Sequence, residues 1–146
     1  MPLPPPEPGL VINYQYLWRH EHLAGLEEGQ KARPCAVIVA AVDIDGLSHV
    51  VVAPLTHRRP EPPSEGIELP PRVKQHLGLD WERSWVAVND LNAFVWPGYD
   101  IRPVPQAAPS RFDYGFLPPR LFSLIVERIK AHGGTARLAT SRDVAE

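Results

Sequence analysis

Cysteine is almost missing from this chain. Cys35 is the single one among 146 residues, so no disulfide can close within the chain, and the sequence suits a reducing cytoplasm. Long apolar runs are missing as well. Nothing approaches the ~20 consecutive apolar residues that a membrane-spanning helix needs, so no membrane partner is expected. An excess of positive charge is also lacking: the formal net charge is −2, and any contact with nucleic acid has to come from a local patch. The opening Met1-Pro2-Leu3-Pro4-Pro5-Pro6-Glu7-Pro8 has neither a basic nor an apolar signal region, and residues 1–8 read as a disordered proline-rich lead. The sequence contains no glycine-rich phosphate loop and no nucleophile-elbow serine.

Proline, by contrast, is abundant. The 18 prolines cluster at 2–8, 60–63, 70–71, 103–109 and 118–119. They are excluded from central strands and helix interiors, so they cut the chain into short elements and rule out a bundle of long helices. Residues 9–133 suffice for one domain with one core, and residues 134–146 read as a flexible tail.

The segments between these prolines are strand-like. Leu10 to Trp18 places Ile12, Tyr14 and Tyr16 on one face. Residues 19–32 read as a long exposed loop. Cys35 to Val42 is a near-continuous apolar run, which predicts a strand buried on both faces. Asp45-Gly46 is a strong tight-turn signal, and Ser48 to Ala53 returns as the partner strand. Gly66–Leu69, Trp85–Val88 and Ala93–Trp96 are further strand candidates. Pro70-Pro71 opens a short helix that Gly78 follows. Pro118-Pro119 opens a terminal helix with Leu121, Leu124, Ile125, Arg128 and Ile129 at helical spacing, before Gly133-Gly134. Short strands at close spacing, with one helix inserted and one appended, predict a mainly β (α+β) domain built as a small barrel.

The cationic side chains concentrate locally: Arg19, His20 and His22; Lys31 and Arg33; His57, Arg58 and Arg59. Three motifs lie among them. Glu28-Gly29-Gln30-Lys31-Ala32-Arg33-Pro34 leads into the apolar strand, Val52-Ala53-Pro54-Leu55-Thr56 ends its partner, and Leu117-Pro118-Pro119-Arg120-Leu121 opens the last helix. In this order the motifs resemble the MazF/PemK (Kid) family of type II toxin–antitoxin toxins, over roughly residues 8–130. The resemblance implies an SH3-like barrel, a homodimer, and a groove for single-stranded RNA that a cognate antitoxin also occupies. It further implies an endoribonuclease that works without metal or cofactor, by attack of the ribose 2′-hydroxyl on the adjacent phosphate.

Such an attack needs a proton acceptor, stabilisation of the charged phosphorane and protonation of the leaving 5′-oxygen. Arg33 suits phosphorane stabilisation because its planar fork donates to two oxygens and stays charged. The plainer alternative is an Arg33 that pairs with a carboxylate on the domain's rim. Thr56 offers a hydroxyl donor, although a β-branched residue ending a strand needs no function. Glu28 is a candidate proton acceptor, or a partner for Arg33 or Lys31. Lys31, His57, Arg58 and Arg19 are expected to contact RNA, together with Asp90, which stands where the family carries an acidic–amide segment. His57, directly after Thr56, is also a candidate for proton exchange, or else a surface histidine with no role.

Other constellations are thin. His20 and His22 lack a third ligand for a metal, and no metal site is expected. Asp43-x-Asp45-Gly46 is better read as hairpin chemistry than as a calcium loop. Cys35 sits in an apolar run and reads as a small core residue. Trp18, Trp81, Trp85 and Trp96 could stack on bases, but at least two are expected in the core or a dimer contact. Two other functions remain open: a catalytically silent barrel that binds nucleic acid or a protein, and a gyrase-directed toxin of the related CcdB type, which uses a terminal helix and an exposed tryptophan. Trp96-Pro97-Gly98 allows the latter, and the Arg-Pro and Pro-x-Thr motifs argue against it. Arg33 and Thr56 meeting in one open groove favours the enzyme. Separate faces, or an arginine buried in an ion pair, favours a binding module.

Overall fold

The computed structural model describes residues 3–18, 31–96, 100–133 and 136–138. In chain order they form β1 (Leu10–Gln15), β2 (Ala32–Ile44), β3 (Leu47–Thr56), a 3-10 turn (Pro63–Glu65) and β4 (Gly66–Glu68). Then follow α1 (Pro71–His76), β5 (Trp85–Ala87), β6 (Leu91–Val95), β7 (Asp113–Phe116), α2 (Pro119–Ala131) and β8 (Ala136–Leu138).

The β2–β3 hairpin organises the sheet. Asp45 and Gly46 both have positive φ, 52° and 81°, the conformation of a two-residue turn whose twist matches its flanking strands. Ladders order the strands β4-β5-β3-β2-β1-β7, and β6 also pairs with β3. The pairings are antiparallel except that of β6 with β8. β3 changes partner along its length: His49–Val52 pairs with β6, and Leu55–Thr56 pairs with β5. Among the described residues no ladder joins β4 to β7, so the sheet is open along this path.

Both faces of the central strands are covered. One face carries Val11, Ala36, Val51, Ala53 and Leu55 against Ile125 and Ile129 of α2 and Leu77 after α1. The other carries Ile12, Tyr14, Tyr16, Cys35, Val37, Val52 and Phe94, with Leu3, Trp18, Trp96 and Phe112 packed against it. The expected one-face alignment of Ile12, Tyr14 and Tyr16 is therefore present. Double burial of β2 holds for Cys35–Ile38 only, since Val39 is 40% exposed and Ala41 is exposed. Beyond that point one face opens to solvent while Val42 and Ile44 on the other still pack against the core, and the register with β3 also shifts there.

Within the proline-rich stretch 97–116, β7 is an element that composition does not announce. It pairs with the first half of β1, and the second half of β1 is bonded by the loop before β7. Gln15 N–H donates to Asp100 O at 2.8 Å, and Arg102 N–H donates to Asn13 O at 2.8 Å. β1 is thus not left as an open edge. Both helices start on proline as expected. Arg128 and His132 of the α2 end reach Ser64 O at 3.0 and 3.1 Å, tying the helix to the 3-10 turn. Next to that turn, a Cβ on Gly66 would lie 2.5 Å from Pro60 Cγ, so only glycine allows this close approach. No helix among the described residues is long and apolar enough to cross a membrane.

The helical stripe of α2 is narrower than the sequence spacing suggests. Ile125 and Ile129 are buried, whereas Leu124 is 44% exposed. Ile125→Ala should therefore cost ~2–5 kcal/mol through the cavity it leaves, and Leu124→Ala within ~0.5 kcal/mol. Urea unfolding of the two variants checks this; equal losses would contradict the assigned helix face.

Candidate functional site

The hairpin register brings two of the sequence motifs together. Cys35 pairs with Pro54, so Arg33 at the start of β2 comes opposite Thr56 at the end of β3. Lys31, Arg33, Thr56 and His57 line one cleft of about 280 Å³, closed by Leu55, Leu79, Asp80 and Ser84 among others. A second cleft of about 260 Å³ shares Thr56 and is lined by Trp18, Arg58 and Asp90. Arg19 and Glu28 lie outside the described residues, as does the His20–His22 segment.

Arg33 is half-buried and has no carboxylate within ion-pair distance among the described residues. Its Nε is buried and has no hydrogen-bond partner among the described residues. What supports the guanidinium is an aromatic face: Arg33 Cζ lies 5.0 Å from the Trp18 ring centroid. Trp18 is in turn packed edge-on to Tyr16 at 5.1 Å, and Tyr16 edge-on to Tyr14 at 6.5 Å. Tyr14 stacks on Phe94 at 4.5 Å, so the support reaches the buried core. The arrangement holds a cation in place without neutralising it.

Thr56 Oγ1 accepts from Arg58 N–H at 3.1 Å, which fixes the rotamer and leaves the hydroxyl proton to donate elsewhere. Arg58 itself is exposed. Asp90 accepts the Tyr16 hydroxyl, with its Oδ1 at 2.7 Å, and so anchors the aromatic column from the second cleft. Burial pushes the Cys35 thiol far up, against the smaller opposing effect of the Arg33 charge, as befits an inert core side chain.

His57 is held by one acid and lies near a second, neither of which the sequence reading singles out. Its Nε2 lies 2.8 Å from Asp80 Oδ2, and its Nδ1 lies 3.5 Å from Glu82 Oε2. Asp80 Oδ1 also takes a 2.6 Å hydrogen bond from Lys74 Nζ and one of 3.1 Å from Glu82 N–H. Lys74 is buried and donates to Glu82 O as well. Burial pushes the Asp80 carboxyl up, but the Lys74 hydrogen bond, the His57 and Lys74 charges and the Glu82 N–H outweigh it, leaving it below the ordinary aspartate value. The available signal for Lys74 is its helical spacing: it stands one turn before Leu77, on the side of α1 that turns inward.

Trp85 is buried and Trp96 half-buried, while Trp81 is 95% exposed. Among the described residues no group of three or more His, Cys, Asp or Glu side chains is placed to hold a metal ion. No protein-family model matches the chain, and no curated protein matches it.

Asp80→Asn leaves the Lys74 ammonium in the interior without its charged partner. It should destabilise the fold by ~1–3 kcal/mol at neutral pH, toward the lower figure because Asp80 is itself about half-exposed. Lys74→Met combined with Asp80→Asn should recover most of the loss. Because the folded-state pKa of Asp80 is depressed, its contribution is present above the ordinary value of 3.8 and fades as pH falls through the lower folded value. The gap between wild type and Asp80→Asn should accordingly hold from neutral pH down to about 3.8 and shrink as pH falls below it, as read by urea unfolding. A double variant less stable than the single one would contradict this account.

Proposed function

We propose that this protein is a metal-independent endoribonuclease of the MazF/PemK toxin type, cutting single-stranded RNA by attack of a ribose 2′-hydroxyl on the adjacent phosphate. The observation that carries this reading is the cleft in which Arg33, a guanidinium with no carboxylate partner among the described residues, opens beside the Thr56 hydroxyl. A charge fixed by a ring rather than by a carboxylate is available to a phosphate, and most available when negative charge accumulates on a phosphorane. Lys31 on the same cleft and Arg58 on the next one supply further phosphate contacts. Trp18 lines the second cleft, so the ring that supports Arg33 also forms part of the wall a base would meet.

The reading extends to architecture and partners. A β3 strand that serves one neighbour with each half is how a small sheet bends toward an SH3-like barrel. The exposed apolar side chains Val39, Leu47, Phe116 and Leu124 are available for a second copy to cover, in keeping with a homodimer. A cognate antitoxin would compete with RNA for the cleft, and the chain would act in the cytoplasm. A silent binding module is less well supported, because Arg33 is in no ion pair among the described residues. A gyrase-directed toxin needs an exposed tryptophan near position 96, and Trp96 instead stacks on Phe94 at 5.9 Å.

Purified protein should cut single-stranded RNA in EDTA and leave 2′,3′-cyclic phosphate ends. A 2′-deoxy nucleotide at the cleavage position should block the reaction. Arg33→Ala should slow cutting by ~100-fold or more with the fold intact, and Thr56→Ala should do so less, since a neutral donor contributes a weaker hydrogen bond. Cleavage of the deoxy substrate, or a requirement for added metal, would reject the mechanism.

A further inference from the structure

We infer that His57 is the proton-transfer group of this cleft, with Asp80 and Lys74 as the residues that position it. The inference rests on the ribonuclease reading and supplies the step that reading leaves without a described residue. His57 follows directly on Thr56 and lines the cleft that Arg33 enters. Its ring is 49% exposed, so it is accessible to a bound strand.

The geometry behind the ring separates it from an ordinary surface histidine. Both oxygens of Asp80 are engaged, one by His57 Nε2 at 2.8 Å and the other by Lys74 Nζ at 2.6 Å. Lys74 is 6% exposed and is held also by Glu82 O, so Asp80 is clamped from inside the protein. Withdrawing an ammonium from water carries a large desolvation cost, and a histidine that merely solvates a loop needs no such fixture behind its partner. With the Nε2 proton donated to Asp80, the neutral ring carries its lone pair on Nδ1. The only acid near Nδ1 is Glu82 among the described residues, at 3.5 Å and on a side chain 73% exposed, too long for a good hydrogen bond and readily displaced by substrate.

The proposed step balances without another reactant. The 2′-hydroxyl proton passes to Nδ1 as the P–O2′ bond forms, while Arg33 and Thr56 hold the phosphorane oxygens. The P–O5′ bond then breaks, its electron pair stays on the 5′-oxygen, and that oxygen takes a proton from solvent. His57 returns its proton to solvent, so none is consumed. During the step the imidazolium has Asp80 on Nε2 and Glu82 beside Nδ1, with Lys74 behind Asp80, Lys31 and Arg33 across the cleft, and Arg58 adjoining in the chain.

The test uses the full chain with a short single-stranded RNA in EDTA, under single-turnover conditions. His57→Gln should lower the rate by about 100-fold or more while RNA affinity stays within a few-fold. It should also remove the acid limb of the rate–pH profile, the limb along which a base loses activity as it is protonated. A substrate with a sulfur in place of the bridging 5′-oxygen, whose leaving group needs no proton, should not rescue His57→Gln. Asp80→Asn should give a smaller rate loss, and 15N spectra of the ring should show it losing the Nε2–H tautomer that wild type holds. Should Asp80→Asn fail to fold, the His57→Gln kinetics and the sulfur substrate still decide.

Wild-type rate and pH profile in His57→Gln would overturn the inference, and so would rescue by the sulfur substrate, which would make His57 an acid instead of a base. If His57→Gln is inert to these measures while Arg33→Ala abolishes cutting, the ribonuclease reading survives and only this inference falls. If wild type cuts no single-stranded RNA, both fall together.

Discussion

Everything at the cleft depends on the register of the β2–β3 hairpin. The turn at Asp45-Gly46 starts the count by pairing Ile44 with Leu47 and Val42 with His49. Continued without interruption, that count would set Thr56 opposite Cys35. Two irregularities on β2, between Val42 and Val39 and between Val39 and Val37, each insert one extra residue there. Together they move the pairing by two, so that Cys35 meets Pro54 and the residue brought opposite Thr56 is Arg33. A shift by one would have sent the arginine to the opposite face of the sheet, into the layer that α2 covers. A shift by two keeps the face and changes the residue.

The same face supplies the support for that arginine. Alternation along β1 puts Ile12, Tyr14 and Tyr16 on the side of Cys35 and Val37, and Trp18 continues the column past the strand's end. Tyr14, fully buried and stacked on Phe94, roots the column in the core, while Trp18 ends it beneath Arg33. Core packing and cation placement are therefore one structure: aromatic rings that exclude water inside the domain present a flat, uncharged platform at its edge. An acidic partner would have held Arg33 equally well but would have cancelled the charge that a phosphate needs.

Which parts of this were legible in the sequence follows from the range of the interactions involved. Asp45-Gly46, Pro70-Pro71 and Pro118-Pro119 act through local backbone geometry, and the turn and both helices stand where those residues put them. The meeting of Arg33 and Thr56 was legible too, because a hairpin with a short turn brings the start of one strand to the end of the next. The bulges were not, since β2 reads as one apolar run through Val42 although Val39 and Ala41 face outward. Nor was β7, whose Asp113-Tyr114-Gly115-Phe116 becomes a strand only because β1 offers it a row of donors and acceptors. Asp80 and Lys74 escaped notice for a similar reason. A lysine on a short helix is ordinarily exposed, and only the fold withdraws Lys74 and turns Asp80 toward His57.

Two acids beside a cleft proposed for RNA need reconciling with the slight negative charge of the whole chain. The field that a phosphate meets is set by uncompensated charge close by, not by the total. Asp80 is matched by Lys74 at 2.6 Å and lies against His57, so within the cleft it contributes little net charge. Glu82 is largely exposed and therefore screened by water and salt. Glu68, the next acid along that surface, is bound by Arg83 through both oxygens at 2.7 and 2.8 Å. Lys31 and Arg33 have no such partners among the described residues, and Arg33 sits half-buried, where screening is weakest. The acids of this region thus orient and balance particular groups, and among the described residues the charge left over at the mouth of the cleft is positive.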